Sequence, residues 1–281
     1  MTDYVAGALS KIGLNGKEST NAYSSTTQGS GAAKEDEKQN ATEILTHNQY
    51  KTTGLDWDAL SPSALTQFRT WFQDAIDHPE IPEPEAMTIS TVSLQEGQDG
   101  KSIARPSSRI VLLKRVDKRG FIFFTNYNSR KGMELERNPF IALTFYWHAL
   151  HRSVRVCGKV EKLSNEENDQ YFNSRPLGSR MGAIASPQSQ HIEGRNILEE
   201  KVKEVENKYN IPGAAGLDPE QQSDQYEDRH VPVPDYWGGF RVIPDEVEFW
   251  MGRSNRLHDR FRYTRDLKEE KDEWEISRLA P

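Results

Sequence analysis

Apolar residues recur with different periods along the 281 positions, and the changes of period divide the chain into segments. Through residue 45, Ser, Thr, Gly, Asn, Gln and Lys dominate without a sustained apolar period. Such a composition cannot repay the entropy of ordering, so a disordered tail is expected over 1–45. A helix is predicted next: Ser61 offers a cap, Pro62 suits the first helical position, and Leu65, Phe68, Phe72 and Ile76 follow at helical spacing, with Trp71 broadening the face. Between Ala86 and Leu163 the period falls to two. Strands are expected over 87–94, 109–115, 121–125, 141–147 and 154–163, most of them β-branched or aromatic and bounded by Gly, Asp, Asn or Pro. The 117–120 stretch reads as a hairpin turn, and Asn128 or Ser129 caps a short helix that stops before Asn138 and Pro139.

Ser164 followed by Glu167 forms a capping box opening a helix that carries Tyr171 and Phe172, and Pro176 interrupts it. A further helix over 195–209 places Ile197, Leu198, Val202, Val205 and Tyr209 on one face. The Pro-, Gly-, Gln- and Asp-rich stretch 210–235 reads as a surface loop, and strands close the chain at 240–242, 247–250, 259–263 and 274–277. Short turns, not crossover helices, join the strands, which favours a mostly antiparallel sheet: a mainly β fold of the α+β kind, with peripheral helices. A closed or split barrel removes the exposed edges, and one domain is expected over 46–281.

The net charge of −7 argues against a general polyanion binder, so no nucleic-acid partner is expected. The run from Arg119 to Phe124 is faintly similar to an RNA-recognition strand, but it departs at Ile122 and Asn126. No apolar run reaches membrane-span length and no signal-peptide core opens the chain, so a soluble cytoplasmic protein is expected; Asp3 and Glu18 argue against a transit peptide. Cys157 is the single cysteine, and its apolar-alternating surroundings suit a structural thiol.

Neither a Gly-x-Gly-x-x-Gly strand exit nor a Walker motif is present, so any nucleotide must be held by side chains. Arg109 and Lys114 bracket an apolar strand. Arg130 and Lys131 open the short helix, whose free N–H groups and dipole suit a phosphate, although adjacent surface cations are commonly just solvated. Tyr171, Arg175 and Ser179 stand four apart and offer a phenol, a guanidinium and a hydroxyl that can meet across the Pro176 break; the bland alternative leaves Arg175 in water. Gln188 and Ser189 lie in a polar loop. Arg256, His258 and Arg260 would converge on one face if their segment is a strand, giving either a site for a planar anion or a solvated, charge-protected edge.

Together these segments resemble the pyridoxine (pyridoxamine) 5'-phosphate oxidase family from about Tyr50 to Pro281. The motifs are Arg109 to Lys114, Thr125 with Ser129 to Lys131, Tyr171 to Pro176, Trp237 to Phe240, Glu248 to Trp250, Arg256 to Arg260 and Arg278 to Pro281. The resemblance implies an FMN-binding split β-barrel working as a homodimer with flavin sites at the subunit interface. It implies FMN contacts from Arg109, Ile110, Val111, Leu112, Phe124, Thr125, Arg130, Lys131, Gln188, Ser189, Trp250 and Arg260. Ser153 holds the place of a usual glutamine near the flavin. Lys114, Tyr171, Arg175 and Ser179 would clamp the substrate phosphate; Arg256, Leu257 and His258 would stand over its ring, with Arg256 and His258 as the catalytic pair. The implied reaction oxidises pyridoxine or pyridoxamine 5'-phosphate to pyridoxal 5'-phosphate while molecular oxygen becomes hydrogen peroxide.

This sequence departs from the family pattern at Ser153, at Ile184 in place of tryptophan, at Pro187 in place of a basic residue and at His47 in place of arginine. Those departures leave two other readings: a binding protein that carries pyridoxal 5'-phosphate or FMN without efficient turnover, and a split-barrel reductase with another substrate. Lys114, Tyr171, Arg175 and Ser179 would be unexplained in the last.

Overall fold

The computed structural model describes residues 49–216, 226, 230–268 and 273–281; the expected tail lies outside them. Strands β1 (Ala86–Glu96) and β2 (Ser102–Leu112) form a long hairpin in register from Ala86↔Leu112 to Glu96↔Ser102. β1 pairs next with β5 (Phe140–Trp147), β5 with β6 (Arg152–Lys162) and β6 with β7 (Trp237–Met251). β7 then forks. Its first half pairs with β4 (Phe121–Asn126), which carries the short β3 (Arg115–Val116), and its second half pairs with β8 (Asp259–Thr264) and through it β9 (Glu275–Leu279). Every pairing is antiparallel, as expected, and the hydrogen-bonded path ends on β2 and β3 without closing. A register shift between Cys157 and Gly158 marks the place where β7 passes from one set of partners to the other.

Alternate residues of these strands supply the core. Met87, Ile89, Leu143, Phe145, Val154, Val156, Phe249 and Phe261 point inward onto α1 (Ala64–Ile76), whose Phe68 is fully buried against Phe121 and Phe145 at ring-centroid distances of 4.8 and 5.0 Å. Truncating Phe68 to alanine would cost about 3–5 kcal/mol. A second apolar cluster, formed by Phe172, Leu177, Met181, Val205, Ile211, Val231 and Trp237, fastens α3 (Asn165–Asn173), α4 (Leu177–Ala185) and α5 (Arg195–Tyr209) to the start of β7.

Several expectations need correction. The cap of α1 is Ser63; the Ser61 N–H donates to Gln67 Oε1 at 2.7 Å, and its carbonyl accepts from the Tyr263 hydroxyl. β2 starts well before 109 because its mostly exposed first half is held by pairing with β1 and not by apolar alternation. The strands expected at 240–242 and 247–250 are one continuous β7. The 210–235 stretch is not solvated throughout: Ile211, Ala214 and Val231 are fully buried. The Ser164–Glu167 capping box is present as read.

Candidate active site

A cavity of about 790 Å³ opens between β2, β4, α4, the end of α3, the start of β7 and the first turn of α2 (Arg130–Arg137). Ser129 caps α2 by accepting the Gly132 N–H at 3.3 Å. A Cβ at Gly132 would fall 2.2 Å from the Tyr127 carbonyl oxygen, so only glycine lets this turn press onto the preceding chain. That contact aims Lys131 inward. Its Nζ donates to Gln188 Oε1 at 2.9 Å, Thr125 Oγ1 at 3.1 Å and Ser129 Oγ at 3.3 Å. Burial, reinforced by the Arg109 charge, lowers its pKa to about 8.

Behind Lys131 lies the buried carboxylate of Glu134. It pairs with Arg130 at 2.9 Å and Arg109 at 3.2 Å and accepts hydrogen bonds from Thr91 and Ser107. Burial alone would raise its pKa, but those four donors hold it down at about 2. Arg109, Arg130 and Lys131 less Glu134 leave this end of the cavity with two positive charges.

Across the cavity, Phe124, Tyr171 and Trp237 form a stacked aromatic shelf, with Phe124 and Tyr171 centroids 3.8 Å apart and Phe124 and Trp237 5.4 Å apart. The Arg175 guanidinium lies 5.0 Å over the Trp237 ring. Its Nη1 is buried without a hydrogen-bond partner, and burial pushes its pKa down. α3 ends at Asn173, Pro176 stands at the N-cap of α4, and Tyr171, Arg175 and Ser179 line the cavity wall across that break together with Lys114. A buried guanidinium that faces a cavity with unused N–H capacity is the donor half of an anion site.

The remaining predicted residues do not line this cavity. Ser153, Trp250 and Arg260 fall in one cross-strand row that continues from Tyr146 on β5 to Leu279 on β9. Arg260 donates to Glu248 Oε1 at 2.8 Å and to the Ala280 carbonyl. The convergence of Arg256, His258 and Arg260 on a strand face is also corrected. Asn255 and Arg256 adopt left-handed backbone (φ 59 and 61°) in a turn, and β8 begins only at Asp259. Arg256 and Leu257 are exposed. His258 packs 4.7 Å from Trp250 and 5.4 Å from Tyr50, and its Nδ1 accepts the Arg253 N–H at 3.1 Å.

Sequence reasoning did not assign roles to Ser107, Asn126, Ser186 or Trp237, all in the cavity wall, nor to Glu134 and Thr91 behind it. Trp237 carried a signal in its Trp-Gly-Gly context. Glu134 and Thr91 carried none, because their partners lie far away in sequence.

The fold and cavity define a class: an antiparallel β protein with a large pocket, among the described residues, whose walls carry two cationic groups and an aromatic shelf. Within that class, the chain belongs to the pyridoxamine 5'-phosphate oxidase family. Residues 74–209 match the family model described as pyridoxamine 5'-phosphate oxidase, and 237–281 match that of the pyridoxine 5'-phosphate oxidase C-terminal dimerisation region. A relative from Paraburkholderia phytofirmans named pyridoxine/pyridoxamine 5'-phosphate oxidase is 49% identical over 232 residues, covering 83% of this chain and 95% of that one. One of the same name from Burkholderia mallei is 47% identical with the same coverage. Among solved structures, PhzG from Burkholderia lata 383 in complex with tetrahydrophenazine-1-carboxylic acid superposes with a TM-score of 0.64 at 28% identity, over 80% of this chain and 95% of that one. A pyridoxamine 5'-phosphate oxidase-related, FMN-binding protein from Nostoc punctiforme superposes at 0.55 and 15% identity, over 79% of this chain and all of that one, and shares the fold.

Proposed function

We propose that this chain is an FMN-dependent oxidase that converts pyridoxamine 5'-phosphate and pyridoxine 5'-phosphate to pyridoxal 5'-phosphate, with molecular oxygen reduced to hydrogen peroxide. The observation that carries the reading is the presence, in one cavity, of two separate cationic groups: Arg109, Arg130 and Lys131 on one side, Lys114 and Arg175 on the other. A flavin nucleotide and a phosphorylated substrate bring one phosphate each.

The residues present fit FMN. The cavity lies in the range of small-molecule sites, roughly 300–1,000 Å³. Two net positive charges at the start of α2 match a phosphate dianion, Thr125, Gln188 and Ser189 add polar groups, and Ile110, Val111 and Leu112 give an apolar edge. Bound FMN supplies a two-electron acceptor that oxygen reoxidises. The chain's own residues do the rest. Lys114, Tyr171, Arg175 and Ser179 hold the substrate phosphate, which orients the exocyclic carbon bearing the alcohol or amine for oxidation.

The assembly is a homodimer, and a second copy accounts for the residues stranded outside the cavity. Within one chain Ser153, Trp250 and Arg260 lie outside the cavity wall that holds the other expected flavin contacts. A two-fold partner brings the same row, with Arg256, Leu257 and His258, over its neighbour's cavity. There Arg256 orients the substrate through its guanidinium. His258 donates from Nε2, because its Nδ1 is already used.

The likeness to PhzG suggests a second reading, oxidation of a tricyclic carboxylate lying on the Phe124–Tyr171–Trp237 shelf. One experiment separates the possibilities. FMN-loaded protein is mixed in air with pyridoxamine 5'-phosphate, and aldehyde and peroxide are followed together. Equal yields of both are expected; bound flavin with neither product overturns the oxidase reading and leaves a carrier or an oxidase of other substrates.

A further inference from the structure

Charged residues of β6, α3 and the β3–β4 turn meet around the buried Arg241 of β7. Its guanidinium pairs with Asp117 of the β3–β4 turn at 2.8 Å, Glu161 of β6 at 2.8 Å and Glu167 of α3 at 2.7 Å. Glu167 is the joint of this cluster. The same oxygen that meets Arg241 also takes Arg115 Nη2 at 2.8 Å, while its other oxygen accepts the Ser164 N–H in the capping box. Arg115 is the neighbour of Lys114 along the chain. Tyr171 stands one helical turn after Glu167 on α3. Lys114 and Tyr171 lie on different elements, and the Arg115–Glu167 pair ties those elements together.

We infer that Glu167 is a positioning residue for recognition of the substrate phosphate: through Arg115 and Arg241 it fixes the spacing between Lys114 and Tyr171, the two arms of the clamp. The cluster is electroneutral, with Arg115, Arg119 and Arg241 against Asp117, Glu161 and Glu167, so its effect on the phosphate is geometric and not a change in field. Glu167 touches neither substrate nor flavin. Its loss therefore weakens binding of the phosphate without altering the oxidised carbon.

This inference rests on the proposed function, and the test keeps the two apart. Glu167→Gln preserves the capping box, in which Gln serves as well as Glu, and removes the ion pairs. Arg115→Gln breaks the same tie from the exposed side, so a folding defect in one variant does not hide the result. In the FMN-loaded dimer, each variant is expected to raise KM for pyridoxamine 5'-phosphate about tenfold with little change in kcat, the double variant no further than either single one. The ratio of pyridoxal 5'-phosphate to pyridoxal affinity, read by equilibrium titration, should fall by the same factor while FMN affinity holds. Unchanged KM and an unchanged affinity ratio overturn the inference, as does equal loss for phosphorylated and unphosphorylated ligands. If the wild-type chain binds pyridoxal 5'-phosphate but oxidises nothing, the oxidase reading fails and the affinity ratio alone decides the role of Glu167.

Discussion

Lys131 Nζ donates to the Gln188 amide oxygen at 2.9 Å, tying the first turn of α2 to the loop that follows α4. Burial of the ammonium, with the Arg109 charge nearby, lowers its pKa to about 8 even though three neutral acceptors surround it. A phosphate dianion bound beside it raises that value again. Between the free and bound values the complex holds more protons than the free protein, so affinity for FMN falls as pH rises from about 8. Titrations by flavin fluorescence from pH 7 to 9.5 should show flat affinity below pH 7.5 and a decline above it. In Lys131→Met the decline should be absent and the affinity lower throughout.

Arg175 is held over Trp237 with one nitrogen already stripped of water and given no partner. The desolvation cost is therefore met before substrate arrives, and a bidentate phosphate contact recovers it. Arg175→Met keeps the stacking volume and removes the donors. KM for the phosphorylated substrate should rise about 10²-fold, in line with loss of a charge-assisted pair, with flavin retained. Steady-state kinetics on the flavin-loaded variant measure this, and an unchanged KM removes Arg175 from the clamp.

Much of this arrangement was legible in the chain because local rules and tertiary demands agreed. Alternation in 141–147 and 154–163 marks strands whose inner faces are Leu143, Phe145, Val154 and Val156, and Ser164 with Glu167 marks a helix start that the structure contains. The first half of β2 was hidden because Ser102 to Ser108 are mostly exposed and held by pairing with β1, so no apolar alternation marks them. The second half of the candidate site failed for a backbone reason. Left-handed conformations at Asn255 and Arg256, which no side-chain pattern announces, turn the chain before β8, so residue alternation does not carry Arg256 onto the face of Arg260. The fixing of Arg109 and Arg130 by Glu134 was equally silent, since it depends on burial that only the fold creates.

The role proposed for His258 is that of a donor and not a base. With Nδ1 accepting the Arg253 N–H, the neutral ring carries its proton on Nε2, and burial together with the Arg256 charge keeps its pKa below the ordinary value. Protonation would set a second N–H against that of Arg253. A folded pKa below the unfolded one means that the contribution is present above about 6.5 and is lost as pH falls toward the folded value. Accordingly, kcat/KM should be level near neutrality and drop on the acid side of the ordinary imidazole value. His258→Gln retains a donor and cannot protonate, so its profile should lose the acidic limb; persistence of that limb would assign it to another group.

Glu134 offers a test of the flavin end that does not depend on turnover. Its carboxylate is 6% exposed and neutralises Arg109 and Arg130 from behind the cavity wall. Glu134→Leu leaves both guanidiniums facing each other, and the apo protein should lose about 2–4 kcal/mol of stability in urea unfolding. Because the folded carboxyl titrates at about 2 and the unfolded one near 4.5, the wild-type advantage is complete above pH 4.5 and disappears as pH falls toward 2. A bound phosphate dianion supplies negative charge to the same two arginines. Saturating FMN should therefore narrow the difference between wild type and variant, beyond the ordinary stabilisation each gains from ligand. An equal deficit with and without FMN would place the flavin phosphate away from Arg109 and Arg130, and the charge match at the start of α2 would no longer support the cofactor's position.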